Sequence, residues 1–146
     1  MGEDVRVRWG WLKFMYIYTL VGAGGFGITL IVVPDTVLTA FGWPDQDVVV
    51  LGVMASVYTG FGITSILGLR SPLKFSPVLL LQLAYKLIWM VFVAAPLAVY
   101  GQVPAHGWVF VGIFASYIIG DLIAIPFRYV FAKESRDGAA STVSDA

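Results

Sequence analysis

The sequence has no cysteine, a single histidine and few charged residues. The absence of cysteine excludes disulfides, thiolate metal sites and cysteine nucleophiles. His106 lies outside the long apolar segments, and one histidine cannot supply a bis-histidine haem site or a zinc centre built from histidines. Charged residues make up 12% of the chain, whereas soluble domains carry about 25%. Nine basic residues balance nine acidic ones, which argues against nucleic acid as a partner.

Long apolar segments are what the sequence does contain. Hydrophobic residues make up 59% of the 146, and the mean hydropathy is +0.86. A membrane-spanning helix needs about 20 apolar residues, and four such segments lie at residues 11–33, 48–69, 78–100 and 108–127. Because these runs are continuous rather than alternating, they predict helices and not strands. We therefore expect an all-α polytopic membrane domain at residues 1–132, with four transmembrane helices in an up-down bundle. Residues 133–146 are small and polar, which predicts a disordered cytoplasmic tail.

The basic residues predict the orientation of the four spans. Eight of the nine lie at the N-terminal end, between the second and third spans, or after the fourth: Arg6, Arg8, Lys13, Arg70, Lys74, Arg128, Lys133 and Arg136. The other two loops contain no lysine or arginine. Because positive residues favour the cytoplasmic side, both termini are expected to be cytoplasmic.

The first loop is predicted to form a short interfacial helix. Within residues 34–43, Val37, Leu38 and Phe41 fall on one side of such a helix. Asp45 and Asp47 follow it, and we expect both to tolerate charge changes because no site is evident in this loop. No segment outside the spans is long enough for a catalytic domain.

Two ridges of small residues recur at an offset of 60 positions. The ridges, spaced every four residues, are Gly52, Ser56 and Gly60 in the second span, and Gly112, Ser116 and Gly120 in the fourth. Small residues permit close backbone approach between membrane helices, so the ridges predict helix-packing faces. A duplicated helical hairpin and convergent packing requirements both explain the similarity.

Lys86 and Asp121 are the basic and the acidic residue that lie clearly inside predicted spans. By helix rise, Lys86 is about 12 Å and Asp121 about 9 Å from the cytoplasmic ends of their spans. Similar depth predicts an ion pair, because an isolated charge in the bilayer is costly. We predict an intramembrane polar pocket at this depth. Its other polar side chains would be those of Gln82, Tyr117, Tyr58 and Thr19. A purely structural pair and a role with a ligand, proton or substrate both remain open.

Residues 69–89 carry a family resemblance. Their sequence, LRSPLKFSPVLLLQLAYKLIW, resembles small bacterial four-helix membrane proteins of the DoxX-like or BphX-like kind. The resemblance implies a bundle in the bacterial inner membrane and implies no catalytic residue.

Two classes of function follow from these features. The first is an interaction protein, either an accessory subunit of a membrane complex or a self-associating bundle, because catalytic sets are absent and small-residue ridges are present. The alternative is a protein that binds or transports a lipophile (a lipid, a quinone or another hydrophobic small molecule), or a membrane isomerase, using Lys86 and Asp121. An enzyme is the least supported version, since one acid and one base form a sparse active site. The lipid bilayer is an expected partner in every case, and no cofactor is predicted.

Overall fold

The four apolar segments form four long helices in the computed structural model, which describes residues 6–132. These are α1 (Trp9–Val32), α3 (Val48–Arg70), α4 (Ser76–Val99) and α5 (Ala105–Ala124), and each is long and apolar enough to cross a membrane. Two short helices, α2 (Pro34–Phe41) and α6 (Phe127–Val130), follow α1 and α5. Residues 6–132 contain no strand. The four apolar helices indicate an integral membrane protein, and the predicted tail at residues 133–146 lies outside the described residues.

The structure shifts the predicted boundary of the last span and confirms the short helix in the first loop. Helix α5 begins three residues earlier than predicted and ends at Ala124 rather than at 127, because Ile125 is extended (φ −68°, ψ 123°) and Pro126 has no N–H to continue the helix. Helix α2 is present, and a left-handed Gly42 (φ 62°) ends it.

Each of α1 and α4 contains one π-helical turn, at Leu20–Gly24 and at Met90–Ala94. A π turn accommodates one residue more than an α turn and often lies near functional sites. The sequence analysis did not predict either turn.

The four long helices contact one another in a ring, in the order α1, α3, α4 and α5, with α5 returning to α1. Helices α1 and α3 approach each other closely where Gly24 faces Gly62. A Cβ atom added to Gly62 would lie 2.6 Å from the Cα of Gly24, and the reverse distance is 2.8 Å. Only glycine fits at either position, because the clashing atoms belong to the backbone.

The predicted small-residue ridges do not pack inside the bundle over most of their length. A Cβ atom added to Gly52, Gly60 or Gly112 would meet nothing within 4 Å. Ser56 is exposed, as is Ser116, whose hydroxyl lies 2.8 Å from Tyr18 Oη. Gly120 does face another helix, since a Cβ atom added there would clash with the side chain of Met15 on α1. Gly52, Gly60 and Gly112 therefore have no packing partner within the described residues of this chain. Spacing alone does not reveal which small residues of a helix face its neighbours.

Two clusters of buried side chains hold the ends of the bundle together. The first joins α1, α4 and α5 and consists of Leu12, Met15, Tyr16, Leu79, Leu83, Tyr117, Ala124 and Ile125. The second joins α1, α2 and α3 and consists of Leu30, Val37, Leu51 and Ala55. The region between the two clusters contains polar groups, aromatic rings and cavities.

Candidate ligand-binding site

Three buried polar side chains form a hydrogen-bonded chain across the bundle. Thr19 Oγ1 of α1 donates to Gln82 Oε1 of α4 at 3.1 Å. Gln82 Nε2 donates to both carboxylate oxygens of Asp121 on α5, at 3.3 and 3.1 Å. All three side chains are 0% exposed. The structure thus brings together three of the residues predicted to share a polar layer, and the chain ties α1, α4 and α5 at one depth.

Lys86 lies one helical turn beyond Gln82 and is surrounded by aromatic rings. Its Nζ donates to Tyr85 Oη at 2.8 Å. The same atom lies 4.2 Å from the centre of the Tyr117 ring, 4.4 Å from that of Tyr85 and 5.4 Å from that of Phe114. These distances are within cation–π range, and such contacts strengthen when the cation is removed from water. The rings therefore stabilise a lysine that is only 1% exposed.

The predicted direct ion pair between Lys86 and Asp121 is absent from the contacts of the described residues. The carboxylate is bound by Gln82, and the ammonium group is bound by Tyr85. A physical reason is that Gln82 already satisfies Asp121, while the long lysine side chain reaches a hydroxyl beside its own backbone. The two charged residues therefore belong to neighbouring but separate polar contacts.

A cavity of about 240 Å³ reaches Lys86 and is named here the Lys86 chamber. Its walls come from α1, α2, α3, α4 and α5 and consist of Tyr18, Gly22, Ala23, Phe26, Phe41, Tyr58, Tyr85, Lys86, Phe110, Ile113, Phe114 and Tyr117. Eight of these twelve residues are aromatic, and Lys86 is the only one of the twelve with a charged side chain. The chamber is therefore an apolar space with a cation in its wall.

A larger cavity of about 750 Å³, named here the Trp43 chamber, adjoins the first. The two share Tyr58, Tyr85, Phe110 and Phe114 as lining residues. At its other end the Trp43 chamber is lined by Trp43, Gln46, Leu97 and His106, which come from the loop after α2 and from the facing ends of α4 and α5. Typical small-molecule sites have volumes of about 300–1,000 Å³, so the combined space is large enough for a ligand.

Helix α2 and the loop after it hold aromatic side chains over the chambers. Trp43 stacks on Phe110 with ring centres 5.4 Å apart and planes 19° apart, and Phe41 lies 5.7 Å from the same ring. Phe26 of α1 contacts the rings of both Phe41 and Trp43 edge to face. The amphipathic α2 predicted from the sequence thus positions part of the cavity wall.

The remaining predicted site residues lie in the chambers rather than in the hydrogen-bonded chain. Tyr58 lines both chambers. Tyr117 lines the Lys86 chamber, and its Oη donates to the backbone oxygen of Tyr18 at 3.1 Å. The sequence analysis missed Phe110 and Phe114. Their spacing of four residues, with Tyr117 three residues further on, places all three on one helix face and was a readable signal.

The arrangement can bind an apolar molecule and hold one oxygen atom of it. An ammonium group has three N–H donors, and within the described residues Lys86 donates one hydrogen bond, to Tyr85. Asp121 does not line either chamber. Among residues 6–132, no three histidine, aspartate or glutamate side chains are grouped as a metal site requires. Comparison of the chain with protein-family models, with curated proteins and with solved structures found no match.

Proposed function

We propose that this protein binds or transports a lipophilic small molecule that carries a hydrogen-bond-accepting oxygen, such as a quinone carbonyl or a carboxylate. The observation that carries the proposal is the position of Lys86 Nζ, in the wall of an aromatic chamber and inside an apolar helix. Ionisable residues inside membrane spans are costly and are commonly functional.

The two chambers differ in the part of the ligand that each would hold. The Lys86 chamber has flat aromatic walls and one cation, which suit a ring or short head group that stacks and accepts a hydrogen bond. The Trp43 chamber is larger and almost wholly apolar in its lining, apart from Gln46 and His106 at one end. An apolar tail would therefore lie in the Trp43 chamber while the head group contacts Lys86.

We further propose that the bundle is up-down, that both termini are cytoplasmic and that the membrane is the bacterial inner membrane. The lysine and arginine distribution supports this orientation. The hydrogen bond from Tyr16 Oη to the backbone oxygen of Pro72 (2.7 Å) supports an arrangement in which the start of α1 and the loop between α3 and α4 lie together. In this orientation the Trp43 chamber opens toward the periplasmic side, so the ligand would enter from the outer leaflet. The resemblance to DoxX-like and BphX-like proteins stays a prediction.

A pair of matched ligands tests the role assigned to Lys86. The purified protein is titrated with 2-methyl-1,4-naphthoquinone, whose binding quenches the fluorescence of Trp43 and Trp89, and with 2-methylnaphthalene, measured by competition. The two molecules have the same ring size, but only the quinone has carbonyl oxygens. Because a hydrogen bond to a charged group contributes about 1.5–3 kcal/mol, the quinone should bind roughly ten- to a hundredfold more tightly.

The preference for the quinone should disappear in Lys86→Met, because methionine fills similar space without a donor. Lys13→Met is the control, since Lys13 is an exposed lysine of α1 outside both chambers. A wild-type protein with no preference between the two ligands, or a preference that persists in Lys86→Met, would contradict the proposal.

The predicted role as an accessory subunit or self-associating bundle stays a second candidate. It is favoured by the outward position of Gly52, Gly60 and Gly112, because small residues on a lipid-facing surface allow another helix to approach closely. Native mass spectrometry in mild detergent should then find a complex that Gly52→Ile combined with Gly60→Ile removes without unfolding the protein. Gly25→Ile is the control, since a Cβ at Gly25 also meets nothing within 4 Å. A monomer without any associated protein would count against this candidate.

A further inference from the structure

A separate cleft of about 380 Å³ lies where α5 ends. The extended Ile125 and the following Pro126 stop the helix, and the chain turns there into α6. The cleft, named here the arginine cleft, is lined by Arg6, Arg8, Leu122, Ile123, Ala124, Ile125, Pro126, Phe127 and Arg128. It shares no lining residue with either ligand chamber.

The arginine cleft has a positive rim. Arg6 and Arg8 line the cleft from the segment before α1, and Arg128 lines it from α6. Of the described residues that line the cleft, none is acidic. Asp121, which directly precedes Leu122, is 0% exposed and is bound to Gln82 on the inside of the bundle. The planar guanidinium groups of Arg6 and Arg8 are suited to phosphate oxygens, which they can bind through two parallel hydrogen bonds.

The same cleft continues into an apolar surface. Leu122 lines it and is 53% exposed, and Ile119, one turn earlier on α5, is 61% exposed. Trp9 follows Arg8 directly and is 50% exposed, and tryptophan is enriched at the level of lipid head groups. A positive rim beside an apolar, outward-facing helix surface matches a molecule with an anionic head and acyl chains.

We propose that the arginine cleft binds the phosphate group of an anionic phospholipid, of the phosphatidylglycerol or cardiolipin type. Basic pockets at the cytoplasmic ends of membrane helices bind such head groups. Arg6 and Arg8 hold the phosphate, while the acyl chains lie along Leu122 and Ile119. Binding here is independent of the Lys86 chamber, so Lys86→Met retains it.

Native mass spectrometry of the full-length protein tests this assignment. The protein is supplied with phosphatidylglycerol or with phosphatidylcholine of the same acyl chains, and Arg6→Gln/Arg8→Gln is compared with wild type. Phosphatidylglycerol should bind wild type more tightly than phosphatidylcholine does. The double variant should bind phosphatidylglycerol on the order of tenfold more weakly, because two arginines beside an anionic head are removed. The control is Arg70→Gln/Lys74→Gln, which removes the same charge from exposed positions outside the cleft and should change affinity less than twofold.

Three outcomes would overturn the proposal. Equal weakening in both double variants would mean that general surface charge attracts the lipid. Equal affinity of wild type for the two phospholipids would mean that the head group is not recognised. Displacement of bound phosphatidylglycerol by millimolar inorganic phosphate would mean that the site recognises free phosphate and not a lipid.

Discussion

The contact between Gly24 and Gly62 gives the sharpest test of how α1 and α3 pack. A Cβ atom at position 62 would lie 2.6 Å from the Cα of Gly24, whereas non-bonded carbons are most stable at about 3.5–4.0 Å. The Gly62→Ala variant must therefore separate the helices locally by about 0.9 Å. Overpacking of this kind typically costs about 1–3 kcal/mol, and here the obstructing atom cannot move as a side chain would.

Gly60→Ala is a matched control, two residues earlier in the same helix. A Cβ at Gly60 meets nothing within 4 Å, and replacing a helical glycine by alanine usually stabilises a helix by roughly 0.5–1 kcal/mol. The free energies of unfolding of Gly62→Ala and Gly60→Ala should thus differ by at least about 1.5 kcal/mol. The measurement is unfolding of the monomeric protein in mixed micelles, with increasing sodium dodecyl sulfate, followed by circular dichroism. Equal stabilities, or a larger loss in Gly60→Ala, would refute the reasoning.

Three further predictions concern other parts of the chain. Lys86→Met and Asp121→Leu should each lower the melting temperature. The two losses of stability should be nearly additive in the double variant, with a coupling energy below about 1 kcal/mol. If the double variant instead recovers most of the stability lost in the single variants, the two residues form a direct pair. Asp47 caps α3 by accepting hydrogen bonds from Val49 N and Val50 N at 3.0 Å, so Asp47→Ala should lower the free energy of unfolding by about 0.5–2 kcal/mol while Asp47→Asn should not. An alkaline phosphatase fused at Ala146 should be inactive, and periplasmic activity would contradict the proposed topology.

The span pattern could be predicted from the sequence because it depends on length and apolarity. Helix rise predicts similar depths for Thr19, Gln82 and Asp121, and hydrogen bonds join these three side chains. Helix rise does not predict the partner of Lys86, because four methylene groups allow its ammonium group to reach several acceptors. The expectation that Asp47 tolerates charge changes did not include its hydrogen bonds to the start of α3. Such a cap becomes evident only when the first helical residue is known.

The chambers and the packing faces could not be predicted in the same way. A cavity is space that the side chains fail to fill, so it depends on the positions of all five helices that surround it. Gly60 and Gly62 illustrate the difficulty for packing, because they are both glycines, only two residues apart in the same helix, and the sequence does not distinguish them. One faces open space and the other touches α1, and only the rotation of α3 distinguishes them.

The two π turns have a consequence for changes in chain length. Each accommodates an extra residue, so deleting one residue within Leu20–Gly24 would restore a regular helix while the segments on both sides keep the faces they now present. Gly27 and Leu30 would then still face α3 and the second buried cluster, while Thr19 would stay at Gln82. A deletion at residues 112–116 of α5, which is α-helical over its whole length, would instead rotate the residues after it by about 100° and turn Asp121 away from Gln82. Single-residue deletions in the two π turns should therefore be far less damaging than a deletion in α5, even though each removes only one residue from a span.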